Sequence, residues 1–113
     1  APVDLHAWMR ALPAGSAVVV TGHSLGAAVA TLLALDLAAN AGVADLALYT
    51  FASPRAGSHA FAAAVNAHVT TSWRVVNAPD VVPKVPPLYA HVEAEYLVDS
   101  NLHDLPHSLV TYH

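Results

Sequence analysis

Residues 17–26 read Ala17-Val18-Val19-Val20-Thr21-Gly22-His23-Ser24-Leu25-Gly26, and this stretch decides the fold. An apolar, β-branched run stops at Gly22, and Ser24 stands between two glycines spaced as Gly-x-Ser-x-Gly. A run of this kind over residues 16–21, without alternation, reads as a strand buried on both faces of a parallel sheet. Leu25 to Asn40 then has helix-forming composition and no proline, and Asn40-Ala41-Gly42 reads as a helix stop. A serine on a sharp turn between strand and helix is held in a sparsely populated backbone conformation, its hydroxyl exposed at the sheet edge. Glycines on both sides are expected because a Cβ at Gly22 or Gly26 would crowd the turn. The competing reading is a structural glycine turn whose serine caps the following helix.

Outward from this stretch the chain alternates. Residues 2–12 read as a helix with Leu5, Trp8, Met9 and Leu12 on one face, closed by Pro13-Ala14-Gly15. Residues 45–51 form a second buried strand, leading into a turn-rich loop, Ala52-Ser53-Pro54-Arg55-Ala56-Gly57. Ser58 caps a helix over residues 59–69 whose Phe61, Val65 and Val69 lie along one stripe. A third strand covers residues 73–77, and residues 78–87 hold four prolines around Asp80, which predicts a rigid loop with no regular element. A fourth strand at residues 94–98 and a last helix over 104–112 complete the order. Strands alternating with helices predict an α/β fold, a mostly parallel sheet with helices on both faces. No repeat or linker divides residues 1–113, which read as a single domain.

The composition points to an incomplete unit. Of 113 residues 56% are hydrophobic and only 11% charged, unusual for a small domain with much surface to keep wet. Within residues 25–40, Asp36 and Asn40 are the only strongly polar positions, and a helix apolar nearly all round belongs inside a larger structure. The expectation is a truncated domain, completed by a missing N-terminal segment or a complementing chain. A formal charge of −4 with four Lys and Arg residues excludes a broad basic surface, and with it nucleic acid as a partner. Cysteine is absent, which excludes disulfides and Cys-ligated metals. No apolar stretch reaches membrane-spanning length without a polar break.

A serine hydroxyl is a poor nucleophile at neutral pH and needs a base to take its proton and a group to orient that base. In turns of this kind the partners follow in the order serine, acid, histidine, on loops at the carboxyl ends of later strands. Asp80 fits the acid, since it follows the 73–77 strand in a proline-stiffened loop; its plainer reading is a turn residue after Pro79. Asp99, which ends the 94–98 strand, is the runner-up, whereas Asp36 and Asp45 are too close to the Ser24 helix to reach over the sheet. His91, His103, His107 and His113 come after Asp80. His91 lies next to a strand, His103 beside Asp104 in a polar loop, and His113 is the last residue. His107 opens a segment that Leu109 and Tyr112 can anchor, which places it modestly ahead of His103 as the base. His23 is read as shaping the turn. Negative charge developing on a substrate oxygen needs two backbone donors; the amide of Leu25 is one, and the second is not found upstream in this chain.

Three blocks taken together resemble the class 3 lipase family: Val20-Thr21-Gly22-His23-Ser24-Leu25-Gly26, Tyr49-Thr50-Phe51-Ala52-Ser53-Pro54-Arg55-Ala56-Gly57, and Trp73-Arg74-Val75-Val76-Asn77 followed by Asp80-Val81-Val82-Pro83-Lys84-Val85-Pro86-Pro87. The resemblance implies the C-terminal half of an α/β-hydrolase acting on acylglycerols and related esters. It makes Ser24 the nucleophile, Asp80 the triad acid and, through His107-x-x-x-x-Tyr112, His107 the base, with Leu25 in the oxyanion hole. It implies contact with a lipid interface and no metal or organic cofactor. Ala27 departs from a glycine often found after the turn, a change a helix start tolerates. The family's amino-terminal half, with the oxyanion loop and the lid, has no counterpart in these residues. The expected activity is a triacylglycerol lipase or esterase working through an acyl-enzyme; the alternatives are a non-catalytic fragment or binding module, and an acyltransferase using the same triad.

Overall fold

The computed structural model describes residues 4–87, 90–92 and 95–98. Four strands, β1 (Val18–His23), β2 (Leu46–Phe51), β3 (Thr71–Asn77) and β4 (Glu95–Val98), pair in parallel in the order β1-β2-β3-β4. Three helices accompany them: α1 (Leu5–Arg10), α2 (Leu25–Asn40) and α3 (His59–His68). The strands begin and end within a few residues of the positions read from the sequence, and α2 spans the expected residues. The expected 2–12 helix is shorter, with Asp4 as its cap accepting from the amide of Ala7 at 3.1 Å. Ser58 caps α3 as expected, its hydroxyl accepting from the amide of Phe61 at 3.2 Å. The 104–112 helix lies outside the described residues.

Register sets the two faces. Val20 opposite Leu48, and Leu46 opposite Val18, turn toward Ala30, Ala34 and Leu37 of α2 and Val65 of α3, while Leu5 and Met9 of α1 pack at the margin. Each fully buried leucine or valine here contributes about 1.5–3 kcal/mol by leaving water. Thr21, Tyr49 and Trp73 stand opposite one another on the other face, and Tyr49, Trp73 and Tyr96 remain exposed there. Among the described residues all three helices therefore cover one face. For α2 and α3 the cause is the unreversed strand order, because right-handed crossovers that keep moving in one direction put their helices on the same side.

Two further findings refine the sequence reading. The proline-rich loop contains one 3₁₀ turn, Val82–Lys84, where no regular element was expected. Pro83 is tolerated because the first turn of a helix has no carbonyl for its missing N–H. Along α2, Leu25, Val29 and Leu32 stay 75%, 56% and 50% exposed, an apolar stripe with no cover among the described residues. None of the described helices is long and apolar enough to cross a membrane.

Candidate active site

Ser24 has φ 56° and ψ −124°, a conformation that costs a side-chain-bearing residue about 1–3 kcal/mol. Its neighbours hold it there. The amide of Ser24 donates to the carbonyl of Phe51 at 3.0 Å, and its own carbonyl accepts from the amides of Ala27 at 3.0 Å and Ala28 at 3.3 Å. Strand pairing thus fixes one side of the turn and the first coil of α2 the other. A Cβ on Gly22 would lie 2.3 Å from the carbonyl oxygen of Gly26 and 2.8 Å from the amide nitrogen of Ala27, so only glycine fits. The expectation for Gly26 is corrected: a Cβ there meets nothing within 4 Å. What the turn requires of Gly26 is its backbone, lying where a side chain at Gly22 would stand.

The hydroxyl of Ser24 makes no capping bond to the first turn of α2, although Ser24 occupies the cap position. That removes the capping explanation for a serine at this place. Leu25 is the first residue of α2, so its amide has no carbonyl four residues back and is available at the positive end of the helix dipole. Sequence reasoning missed Ala52, the other non-glycine with positive φ among the described residues, 54°. Ala52 follows β2 as Ser24 follows β1, it is fully buried, and its amide donates to the carbonyl of Val75 at 3.0 Å. No signal in residue type marks this turn.

Asp80 is 1% exposed near the start of the loop after β3. Its amide donates to the carbonyl of Asn77 at 2.9 Å, and its Oδ1 accepts from the amide of Val82 at 2.9 Å. The turn role allowed for this residue is therefore real, and it coexists with burial of a carboxylate. Ser24 and Asp80 follow strands separated only by β2, at the carboxyl edge of the sheet where open α/β sheets bind ligands.

The loop beyond Asp80 is tied down by basic side chains. The amide of Arg55 donates to the carbonyl of Val85 at 2.8 Å, and its guanidinium Nη1 donates to the carbonyls of Pro86 at 3.3 Å and Pro87 at 2.9 Å. Arg74, buried in β3, donates from Nε to the carbonyl of Val92 at 2.8 Å and from Nη2 to Glu95 at 3.3 Å. Burial holds the Arg74 guanidinium below its ordinary pKa, opposed by the Glu95 charge. His91 bonds through Nε2 to the carbonyl of Pro83. Burial first, and then the nearby charge of Arg74, push the His91 imidazole below its usual range. His91 is thus an anchor of the loop. His107, His103 and Asp99 lie outside the described residues. Among the described residues no group of His, Cys, Asp or Glu is arranged to hold a metal ion.

The family model for lipase (class 3) matches residues 2–90. This chain belongs to the class 3 lipase family. Secreted mono- and diacylglycerol lipase A of Penicillium cyclopium is 46% identical to this class 3 lipase chain over 86 residues, covering 74% of this chain and 28% of that protein. The crystal structure of the lipase from Rhizopus microsporus var. chinensis superposes with a TM-score of 0.70 at 38% identity, over 74% of this chain and 31% of that one. A triacylglycerol lipase whose catalytic centre is a serine protease triad superposes at 0.71 with 42% identity, over 77% and 35%. These neighbours have the α/β-hydrolase fold, and the present sheet with its helices is part of it. The chain spans about a third or less of the length of each of these relatives.

Proposed function

We propose that this class 3 lipase chain carries the catalytic triad of a carboxylic ester hydrolase, with Ser24 as nucleophile, Asp80 as acid and His107 as base. The observation that carries the reading is the backbone of Ser24, strained, braced on both sides and not used to cap α2. A strained backbone held from both sides is what a pre-positioned nucleophile requires. In the proposed reaction the Ser24 hydroxyl attacks the acyl carbonyl while the His107 imidazole takes its proton. The Asp80 carboxylate holds that imidazole in the right tautomer and stabilises its charged form. The amide of Leu25 and the positive end of α2 stabilise the oxyanion. Collapse expels the alcohol, which receives the proton from His107, and leaves an acyl-Ser24 ester. Water activated by His107 then releases the acid.

Acylglycerols are the proposed substrates, supported by the mono- and diacylglycerol and triacylglycerol lipases among the relatives. The domain is completed by a further segment that supplies the second oxyanion donor and covers the Leu25, Val29 and Leu32 stripe; the short span relative to the family supports this. The test is hydrolysis of a p-nitrophenyl ester by the intact protein and its Ser24→Ala variant. A loss on the order of 10⁴-fold or more in kcat is expected, and unchanged turnover would overturn the assignment.

A further inference from the structure

We propose that Arg55 is a positioning residue for catalysis, acting through Asp80; the inference rests on the reading of Asp80 as the triad acid. The segment from Pro83 to Pro87 contains three prolines and so lacks most of the N–H groups by which a loop is usually fastened. Lys84 and Val85 keep amides, but these are spent on the carbonyls of Val81 and Val82 in the 3₁₀ turn. Only carbonyls remain for anchoring, and a carbonyl needs a donor from elsewhere. Arg55 supplies donors to three in succession, Val85 through its backbone and Pro86 and Pro87 through its guanidinium. Both side-chain bonds leave from Nη1, whose two N–H donors are held in the guanidinium plane, whereas the donors of a lysine ammonium rotate freely.

The anchor is transmitted to Asp80 by a stiff piece of chain. Between them lie the Asp80 side-chain turn onto Val82, the 3₁₀ turn Val82–Lys84 and prolines whose φ is fixed. The other end of the anchor is equally specific. Arg55 lies four residues beyond Phe51, whose carbonyl holds the amide of Ser24. The end of β2 therefore braces the nucleophile turn, and Arg55 in the loop that follows braces the acid loop. A carboxylate that must hold an imidazole tolerates little displacement, since an error of about 1 Å costs on the order of 10²-fold.

The test is a double-mutant cycle in the intact protein with Arg55→Ala, Asp80→Asn and the pair, read as kcat, KM and the pH profile of ester hydrolysis. Arg55→Ala is expected to lower kcat by about tenfold or more with KM within about twofold. It should also move the acid limb of the profile to lower pH, because an imidazolium less well held by Asp80 loses its proton more readily. In the Asp80→Asn background, Arg55→Ala should have no further effect on kcat. Arg55→Lys should restore part of the loss, and it serves in the same cycle if Arg55→Ala does not fold. Additive effects, or a fall in kcat with an unmoved acid limb, would overturn the positioning role and leave the acid assignment standing. Full activity in Asp80→Asn alone would instead overturn the acid assignment.

Discussion

The amide of Ser24 hydrogen-bonds to the carbonyl of Phe51 at 3.0 Å, so the last residue of β2 holds the serine turn that ends β1. The ladder extends in the same way one strand further, where Ala52 donates to Val75. Both contacts place a strained, non-glycine residue directly after a parallel strand. The carboxyl edge of the sheet is thus a row of sharp exits, each secured by its neighbour, and the candidate chemistry is built on it.

The steric asymmetry of the two glycines flanking Ser24 gives a direct check. Gly22→Ala forces a methyl against the Gly26 backbone and should destabilise the protein by about 3 kcal/mol, with loss of activity. Gly26→Ala meets no obstacle in the described structure and improves helix propensity, so stability should be unchanged or up to about 1 kcal/mol higher. Urea unfolding of the two variants distinguishes them, and equal losses would contradict the geometry.

The contact between α1 and α2 should depend on acid. Asp36 accepts from Asn40 at 2.9 Å and is paired with His6 at 2.5 Å; the Asn40 bond first, then the His6 bond, hold its carboxyl below the ordinary 3.8. A depressed carboxylate pKa contributes stability that is present above 3.8 and is lost as pH falls through the lower, folded value. The stability gap between the wild type and Asp36→Asn should therefore be larger at about pH 6 than at about pH 3, below the ordinary value, where the unfolded chain already binds the proton. A gap independent of pH would count against the pairing.

His91 gives a second acid dependence with a different window. Burial and the Arg74 charge disfavour its protonated form in the fold, so its pKa lies below the ordinary 6.5. The unfolded chain then binds the proton more readily, and stability should fall as pH drops below 6.5. Thermal unfolding at about pH 7.5 and about pH 5 should show a larger drop for the wild type than for His91→Asn. Parallel drops would show that the imidazole does not sense the buried loop.

Sequence alone located the strands, α2, the Ser58 cap and the Ser24 turn, because each rests on a local rule: β-branched runs, a proline-free helix, a cap and glycine spacing. Arg55, Arg74 and His91 were not singled out as anchors, since nothing local says which distant carbonyl a basic side chain will meet; Arg55 reaches Pro87 across 32 positions. Ala52 escaped for the opposite reason, because alanine carries no hint of a positive φ and only the strand geometry imposes it. Gly26 was read by symmetry with Gly22, and the turn is not symmetric: one glycine leaves a gap that the other's backbone fills. His107 lies outside the described residues.

The central claim is that the Ser24 hydroxyl is activated. Treatment of the intact protein with a fluorophosphonate, followed by peptide mapping by mass spectrometry, tests it most directly. The account predicts one adduct, on the peptide containing Ser24, formed in parallel with loss of ester hydrolysis and abolished in His107→Ala. Hydrolysis that persists with Ser24 unmodified, or an adduct confined to another serine, would contradict it.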